Sequence, residues 1–458
     1  MAFIRRIKKG ESVYLAEVEN RREGGKVKQR VLRYIGKEVA GEVVKRVSSD
    51  SIEVERVKRW ADYHILHKAA QELGLEGMLG EDMRHILLLA YTQLADRCTM
   101  HKLPEKAEQI ALKEILGIEK LVDKHLYEAL DSLEELDFGR IEQEVLGRLL
   151  EGRLERKALI LDVSDTYFSG SQAHWKPRKG KQGKFAKLVQ IALAVTKEEG
   201  FPIMHRLYEG NVSNTRIMQE MLLDVKLREF DVTVVDRGMA CGENLRDLES
   251  LGQKVICGTG RNARLEEAYL SRIEREDIYQ PAHRVKLKNT TVYAKAFDHL
   301  SGKLIAVYNP TLEALKRDKA MENPKTYDAR KAKYCGYSLL YHTTDSPTDK
   351  VVRTYFQRDM LEKAYRELKS TIDLNPVRKY RLGRVKAHVK ICYLAYALLS
   401  YIGHKLRPMG MSAVDALEKL QSAYMVDFAS KKDDFHWSKT VTLSNEQRNI
   451  LKSLNCSV

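Results

Sequence analysis

The sequence predicts an α/β fold built on a mixed sheet, and three observations carry that prediction. Short apolar runs of buried-strand type recur at ALILDV (158–163), LVQIALAV (188–195), FPIMHRLY (201–208), DVTVVD (231–236) and KVICGT (254–259). Helical patterns separate the later runs, one from about Asn214 to Glu229 and one at GENLRDLESLG (242–252). The order is therefore β-β-β-α-β-α-β. YFQRDMLEKAYRELK (355–369), with no Gly or Pro and rich in helix formers, supplies a closing helix.

The rest of the chain is organised around that core. Residues 1–45 read as a small basic β element: SVYLAEVEN alternates, REGGK is a turn, and KQRVLRYIG resumes the strand pattern. Residues 46–155 begin with a charged connector. They continue as a helical domain through WADYHILHKAAQELG (60–74), DMRHILLLAYTQLADRC (82–98) and KHLYEALDSLEEL (124–136). A DNA-end reader and a plain helical scaffold are equally open there. The core spans 156–260 and 341–410, interrupted by a β-rich insertion at 261–340 with VKLKNTTVYAKAF (285–297) and KLIAVYN (303–309). Residues 411–458 read as a helical and polar tail.

Composition narrows the function classes. A net charge of +15 points first to nucleic acid and second to an anionic membrane surface. The six cysteines include no C-x2-C pair, which argues against a zinc finger and a disulfide scaffold and suits a reducing cytosol. The start lacks a signal-peptide core, and the most apolar run, ICYLAYALLSYIG (391–403), is too short to span a bilayer. The expectation is a cytoplasmic chain with no membrane partner.

Tyr355, Arg358, Glu362 and Lys369 stand at offsets 0, 3, 7 and 14. At about 100° per residue they share an arc of roughly 60° on one helix. A carboxylate beside a phenol, a guanidinium and an ammonium suits a metal-bound phosphate. For an arbitrary helix, a solvated face with ion pairs is the commoner meaning. The spacing Y-x2-R-x3-E-x6-K, however, resembles the motif around the last acidic residue of DDE transposases of the bacterial insertion-sequence class. Asp162 and Asp236, each closing an apolar strand in DVSDTYF and VVDRGM, resemble that class's two upstream acids. Gly210–Asn211 and the segment AHVKICYLAYALL (387–399) fit as well, so the resemblance covers roughly residues 155–405. Asp165 competes with Asp162 for the first position. Three residues apart on a strand, the two face opposite sides.

The resemblance implies a ribonuclease-H-like mixed sheet and phosphoryl transfer with two Mg²⁺ ions, Mn²⁺ able to substitute, held by Asp162, Asp236 and Glu362. It implies cleavage at the ends of an insertion sequence and transfer of the 3′-hydroxyl into target DNA. The partners would be terminal inverted repeats and target duplex, with a homodimer on synapsed ends and a bacterial or archaeal nucleoid location. A two-metal nuclease on the same fold and a domesticated DNA-binding protein are the rivals. Tyr355, Arg358, Lys369 and Asn211 are expected at the DNA. So are Lys176, Arg178, Lys179 and Lys181 of HWKPRKGKQGKFAK (174–187), an acid-free run between the first two strands. PVRKYRLGRVKAHVK (376–390) is a second acid-free run, and Trp175 could stack on a base or anchor the loop. The best-known relatives carry a base-capturing Trp in the insertion. Residues 261–340 hold none, leaving Tyr293, Phe297 or Tyr308 as candidates.

Overall fold

Alternating and β-branched residues favour strands in the described part of the first 59 positions. In the computed structural model, β1 (Ala2–Lys9), β2 (Ser12–Glu23), β3 (Lys26–Val39) and β4 (Glu42–Val44) form an antiparallel sheet in that order. The structure describes residues 2–456 except 10–11, 24–25, 40–41, 45–51, 151–157, 168–177, 180–184, 240–241, 261–262, 323–332, 357–358, 373–381 and 431–434. β5 (Ile52–Arg59) lies in the stretch expected to be a charged connector.

The central sheet belongs to a second compact unit, Trp60–Ser422 with Ser444–Val458. Its strands are β6 (Ala158–Tyr167), β9 (Leu188–Thr196), β10 (Pro202–Glu209), β11 (Val232–Val235), β12 (Lys254–Thr259), β13 (Arg284–Lys286), β14 (Thr291–His299), β15 (Gly302–Tyr308) and β16 (Tyr337–His342). Two short strands, β7 (Arg178–Lys179) and β8 (Phe185–Ala186), form a separate ladder. The order across the large sheet is β10-β9-β6-β11-β12-β16-β15-β14-β13. β6, β11 and β12 run parallel and every other pairing is antiparallel. The strands of 261–340 thus continue the central sheet through β16, where the sequence suggested an insertion of its own. Their apolar alternation fixes strand type, whereas the partner is set by contacts far away in sequence.

The helices Ala61–Glu72, Met83–Ala95, Asp123–Glu135 and Phe138–Leu149 fall in the same unit as the sheet, although the sequence read them as a separate domain. The reason is the helix Leu382–Leu406, whose buried side chains from Val385 to Leu406 pack against the first three of these helices and against β10. An all-round apolar helix needs cover on several sides. Polar ties set its orientation. Arg384 makes a two-pronged bond to Asp131 at 2.7 Å on each prong. Lys390 Nζ donates to the carbonyls of Leu133 and Glu134 at 2.8 and 3.0 Å, closing the C-terminal end of Asp123–Glu135. Among the described residues no helix is long and apolar enough to cross a membrane.

The expected polar tail holds β17 (Tyr424–Ser430) and β18 (Phe435–Thr440). β17 pairs with both β18 and β5, so the first unit is Met1–Arg59 closed by Ala423–Leu443.

Phe138–Leu149 meets the sheet through a buried charge. Glu142 is fully buried and accepts from the His205 backbone amide at 2.8 Å, with His205 Nδ1 at 2.9 Å, Arg206 at 3.1 Å and Lys226 Nζ at 2.8 Å. Burial by itself would raise this carboxyl. The His205 hydrogen bond and the cations Arg206 and Lys226 outweigh it and hold the carboxyl down at about 2. A depressed carboxyl contributes stability that is fully present above the ordinary value near 4.5 and is lost as pH falls toward 2. Glu142→Gln, which leaves the buried Lys226 and the half-buried Arg206 with Asp224 as their remaining carboxylate, should cost about 2–3 kcal/mol at pH 7 and flatten the fall in stability between pH 5 and 2. Urea unfolding across that range checks this. An unchanged midpoint at pH 7 would show that the cluster is not structural.

Candidate active site

The site begins with register. β11 runs parallel to β6 with Val235 opposite Leu161, so the next residue on each chain, Asp236 and Asp162, stand abreast on one face. Both carboxylates are half-buried. Neighbouring strands are about 4.8 Å apart, so two negative charges there repel unless a cation or donors intervene. Asp162 Oδ1 accepts from the Val163 amide at 2.7 Å.

Asp162 does not close its strand as the sequence suggested. β6 continues to Tyr167, paired with β9 alone, and Asp162 sits where β11 stops. The long apolar β9, buried at every position, carries β6 onward. Asp165 lies in that extension, opposite Gln190, and faces away from Asp162 and Asp236.

Three side chains from the closing helices reach this strand pair. Tyr355, on Thr348–Phe356, directs its hydroxyl to Asp236 Oδ1 at 3.4 Å. Its ring passes over Gly258 of β12, where a Cβ would overlap the phenol oxygen. Tyr365, on Asp359–Arg366, is buried with its hydroxyl 2.6 Å from the Asp162 carbonyl and 2.9 Å from that of Ile191. Burial first, and the Asp162 charge second, push that hydroxyl far above the ordinary tyrosine range, so it stays a donor. Lys369 lies in a π-helical turn, Glu367–Thr371, and donates to Ser164 Oγ at 2.6 Å and the Asp165 carbonyl at 2.7 Å. The turn after Asp236 is held too: Met239 N bonds back to the Asp236 carbonyl at 3.0 Å, and Asn244 Nδ2 donates to the Met239 carbonyl at 2.7 Å.

The sequence-derived residues divide accordingly. Asp162, Asp236, Tyr355 and Lys369 come together, although Lys369 grips β6 where a phosphate clamp was expected. A single regular helix over 355–369 is not what forms, because the π turn alters the rotation before Lys369. Glu362 is exposed on Asp359–Arg366, three residues before Tyr365. Among the described residues no group of three His, Cys, Asp or Glu side chains is gathered as a metal site. Asn211 is exposed in the turn after β10, beside Gly210, where a Cβ would strike Leu188. Arg358, Lys176, Lys181 and Trp175 lie outside the described residues, as do the side chains of Arg178 and Lys179. Tyr365, Gly258 and Asn244 went unread. Only the aromatic three residues after Glu362 left any trace in the pattern.

Side-by-side carboxylates are hard oxygen donors of the kind that suit a divalent cation.

Comparison with known proteins bears on this geometry. Residues 153–398 match the family model described as the transposase DDE domain. No curated protein matches the chain. Among solved structures it is similar to the piggyBac transposase in a synaptic complex with hairpin DNA, at 13% identity and a TM-score of 0.45, over 79% of this chain and 76% of that one. Members of the matched family use divalent metal ions. That match takes in more than half of the chain, including both aspartates and the helix of Glu362: the chain belongs to the DDE-domain transposases and is a DNA transposase, a polynucleotidyl transferase with endonuclease activity.

Proposed function

We propose that this transposase cleaves DNA at the ends of an insertion sequence and joins the freed 3′-hydroxyl to target DNA, using Asp162, Asp236 and Glu362 on a ribonuclease-H-like core. The observation that carries the reading is the parallel register that sets Asp162 beside Asp236. The strand order β10-β9-β6-β11-β12, antiparallel then parallel about β6, supports the fold assignment. The organisation that goes with it is a basic β unit at 1–59 closed by 423–443, and a catalytic unit that joins the helices of 60–150 to the core at 156–260 and 341–410 and to the strands of 261–340. The partners are terminal inverted repeats and target duplex, with two protomers on a synapsed pair of ends.

Asp162 and Asp236 would hold divalent ions, two Mg²⁺ or Mn²⁺, with Glu362 brought in from its helix. Bound there, the ions would activate the attacking hydroxyl and stabilise the leaving oxygen. The chain's own groups set the geometry. Tyr355 orients the Asp236 carboxylate. Tyr365 fixes the Asp162 peptide, and Lys369 fixes the two residues that follow Val163. Attack of water on the scissile phosphate leaves a 3′-hydroxyl end, and attack by that hydroxyl on a target phosphate joins the strands. Neither step needs a protein–DNA bond, and the Tyr355 hydroxyl is directed at Asp236.

With Mg²⁺ and labelled DNA carrying the element's ends, Asp162→Asn, Asp236→Asn and Glu362→Gln should each lower single-turnover cleavage and strand transfer by roughly a thousandfold, while DNA binding persists. Asp165→Asn should retain cleavage. A dead Asp165→Asn beside an active Asp162→Asn would reverse the assignment, and cleavage without joining would favour a nuclease.

Tyr365→Phe removes one hydroxyl from a buried ring. Cleavage at limiting Mg²⁺ should fall by about 10–100-fold and recover partly at high Mg²⁺, as for other groups that orient a metal ligand. A wild-type Mg²⁺ titration would show that Tyr365 serves packing alone.

A further inference from the structure

We propose that the protruding part of the β2–β3 ribbon, residues 20–23 and 26–29, is an arm that lies in a groove of double-stranded DNA. The inference rests on the chain acting on duplex DNA. The hairpin outruns the sheet that supports it. β1 pairs with β2 only between Ser12 and Glu19, and β4 meets β3 only from Lys37 onward. Beyond Glu19 the rungs Asn20–Gln29, Arg21–Lys28, Arg22–Val27 and Glu23–Lys26 form a ribbon of two strands, with no further strand on either edge among the described residues. Four rungs extend roughly 14 Å. The major groove, about 12 Å wide, admits a two-stranded ribbon of this kind.

Charge complementarity identifies the occupant. Residues 1–37 carry eleven Lys or Arg against four Asp or Glu. On the ribbon Arg21, Arg22 and Lys28 are exposed, and Arg30 is exposed at its root opposite Glu19. Arg21 and Lys28 face each other directly across the two strands, a like-charge pairing that destabilises a sheet in isolation. Glu19 pairs with Arg21 at 3.4 Å, a contact of modest strength at a largely exposed position. A phosphate backbone on that face would meet both cations. The other face carries Arg22 next to Val27, which is 63% exposed and so available to an apolar base edge. The root of the ribbon is braced: Gln29 Nε2 donates to Asn20 Oδ1 at 3.0 Å, and Arg5 of β1 donates to Gln29 Oε1.

The test uses the full chain and a fluorescein-labelled 40-bp mixed-sequence duplex, with affinity measured against NaCl concentration. The quadruple variant Arg21→Ala, Arg22→Ala, Lys28→Ala, Arg30→Ala should bind at least tenfold more weakly. Its log–log salt slope should be smaller by about 0.9 for each phosphate that is no longer neutralised. The single variant Arg22→Glu, at an exposed position that folding tolerates, should weaken binding in the same sense. Wild-type affinity and slope in both would overturn the arm. Equal arm-dependent affinity for duplex RNA of the same sequence would also overturn it, because the deep, narrow major groove of RNA does not admit a ribbon. Asp162→Asn keeps the arm and should bind with the wild-type slope without cutting. Cutting by that variant overturns the active-site reading alone, and an unchanged slope in the arm variants overturns the arm alone.

Discussion

The parallel pairing of β6 with β11 is the constraint on which the site depends. It sets Asp162 and Asp236 abreast, and two carboxylates about 5 Å apart repel by roughly 3 kcal/mol at an effective dielectric constant near 20. Among the groups that relieve it are an amide hydrogen on Asp162 and a phenol on Asp236. A sheet that sets two carboxylates abreast where β11 ends beside β6 is arranged to receive positive charge. A phosphoryl-transfer enzyme brings that charge to the reacting phosphate.

The remaining structure keeps that pair in place. Tyr365 and Lys369 fasten the closing helix to β6 on either side of Val163, so the segment that carries Glu362 is registered against the strand that carries Asp162. Gly258 lets Tyr355 approach close enough to touch Asp236. Behind the sheet, Glu142 ties a helix to β10 through His205 and Arg206, while the helix Leu382–Leu406 spans the helical layer and β10. These are buried, many-partner contacts of the kind that hold a site to fractions of an ångström.

Much of this was legible in the sequence, and the limits have physical causes. The core strands announced themselves because a strand buried on both faces is mostly apolar, as β9 is apart from Gln190 and Thr196. Asp162 and Asp236 stood out as charges at the edge of such runs. Periodicity reports local conformation and says little about partners. It therefore missed the pairing of β5 with β17, about 370 residues away, and the joining of β16 to β12. It also placed the end of β6 at the last apolar residue, since the extension to Tyr167 is held by β9 and not by its own composition. A helical wheel assumes a constant rotation, which the π turn at Glu367–Thr371 breaks. Glu142 looked like one more surface acid, because its partners His205, Arg206 and Lys226 stand more than 60 residues away in sequence.

The most direct measurement is where a bound ion sits on the chain. Fe²⁺ substituted for Mg²⁺, with ascorbate and peroxide, releases hydroxyl radicals that cut the polypeptide beside the metal. Cuts should fall at the Asp162 segment of β6, at the Asp236 turn after β11 and in Asp359–Arg366, and Mg²⁺ should compete them away. Asp162→Asn should suppress all three together. Cuts confined to other segments, or cuts at β6 and β11 that persist in Asp162→Asn, would contradict a carboxylate site built on the parallel pair.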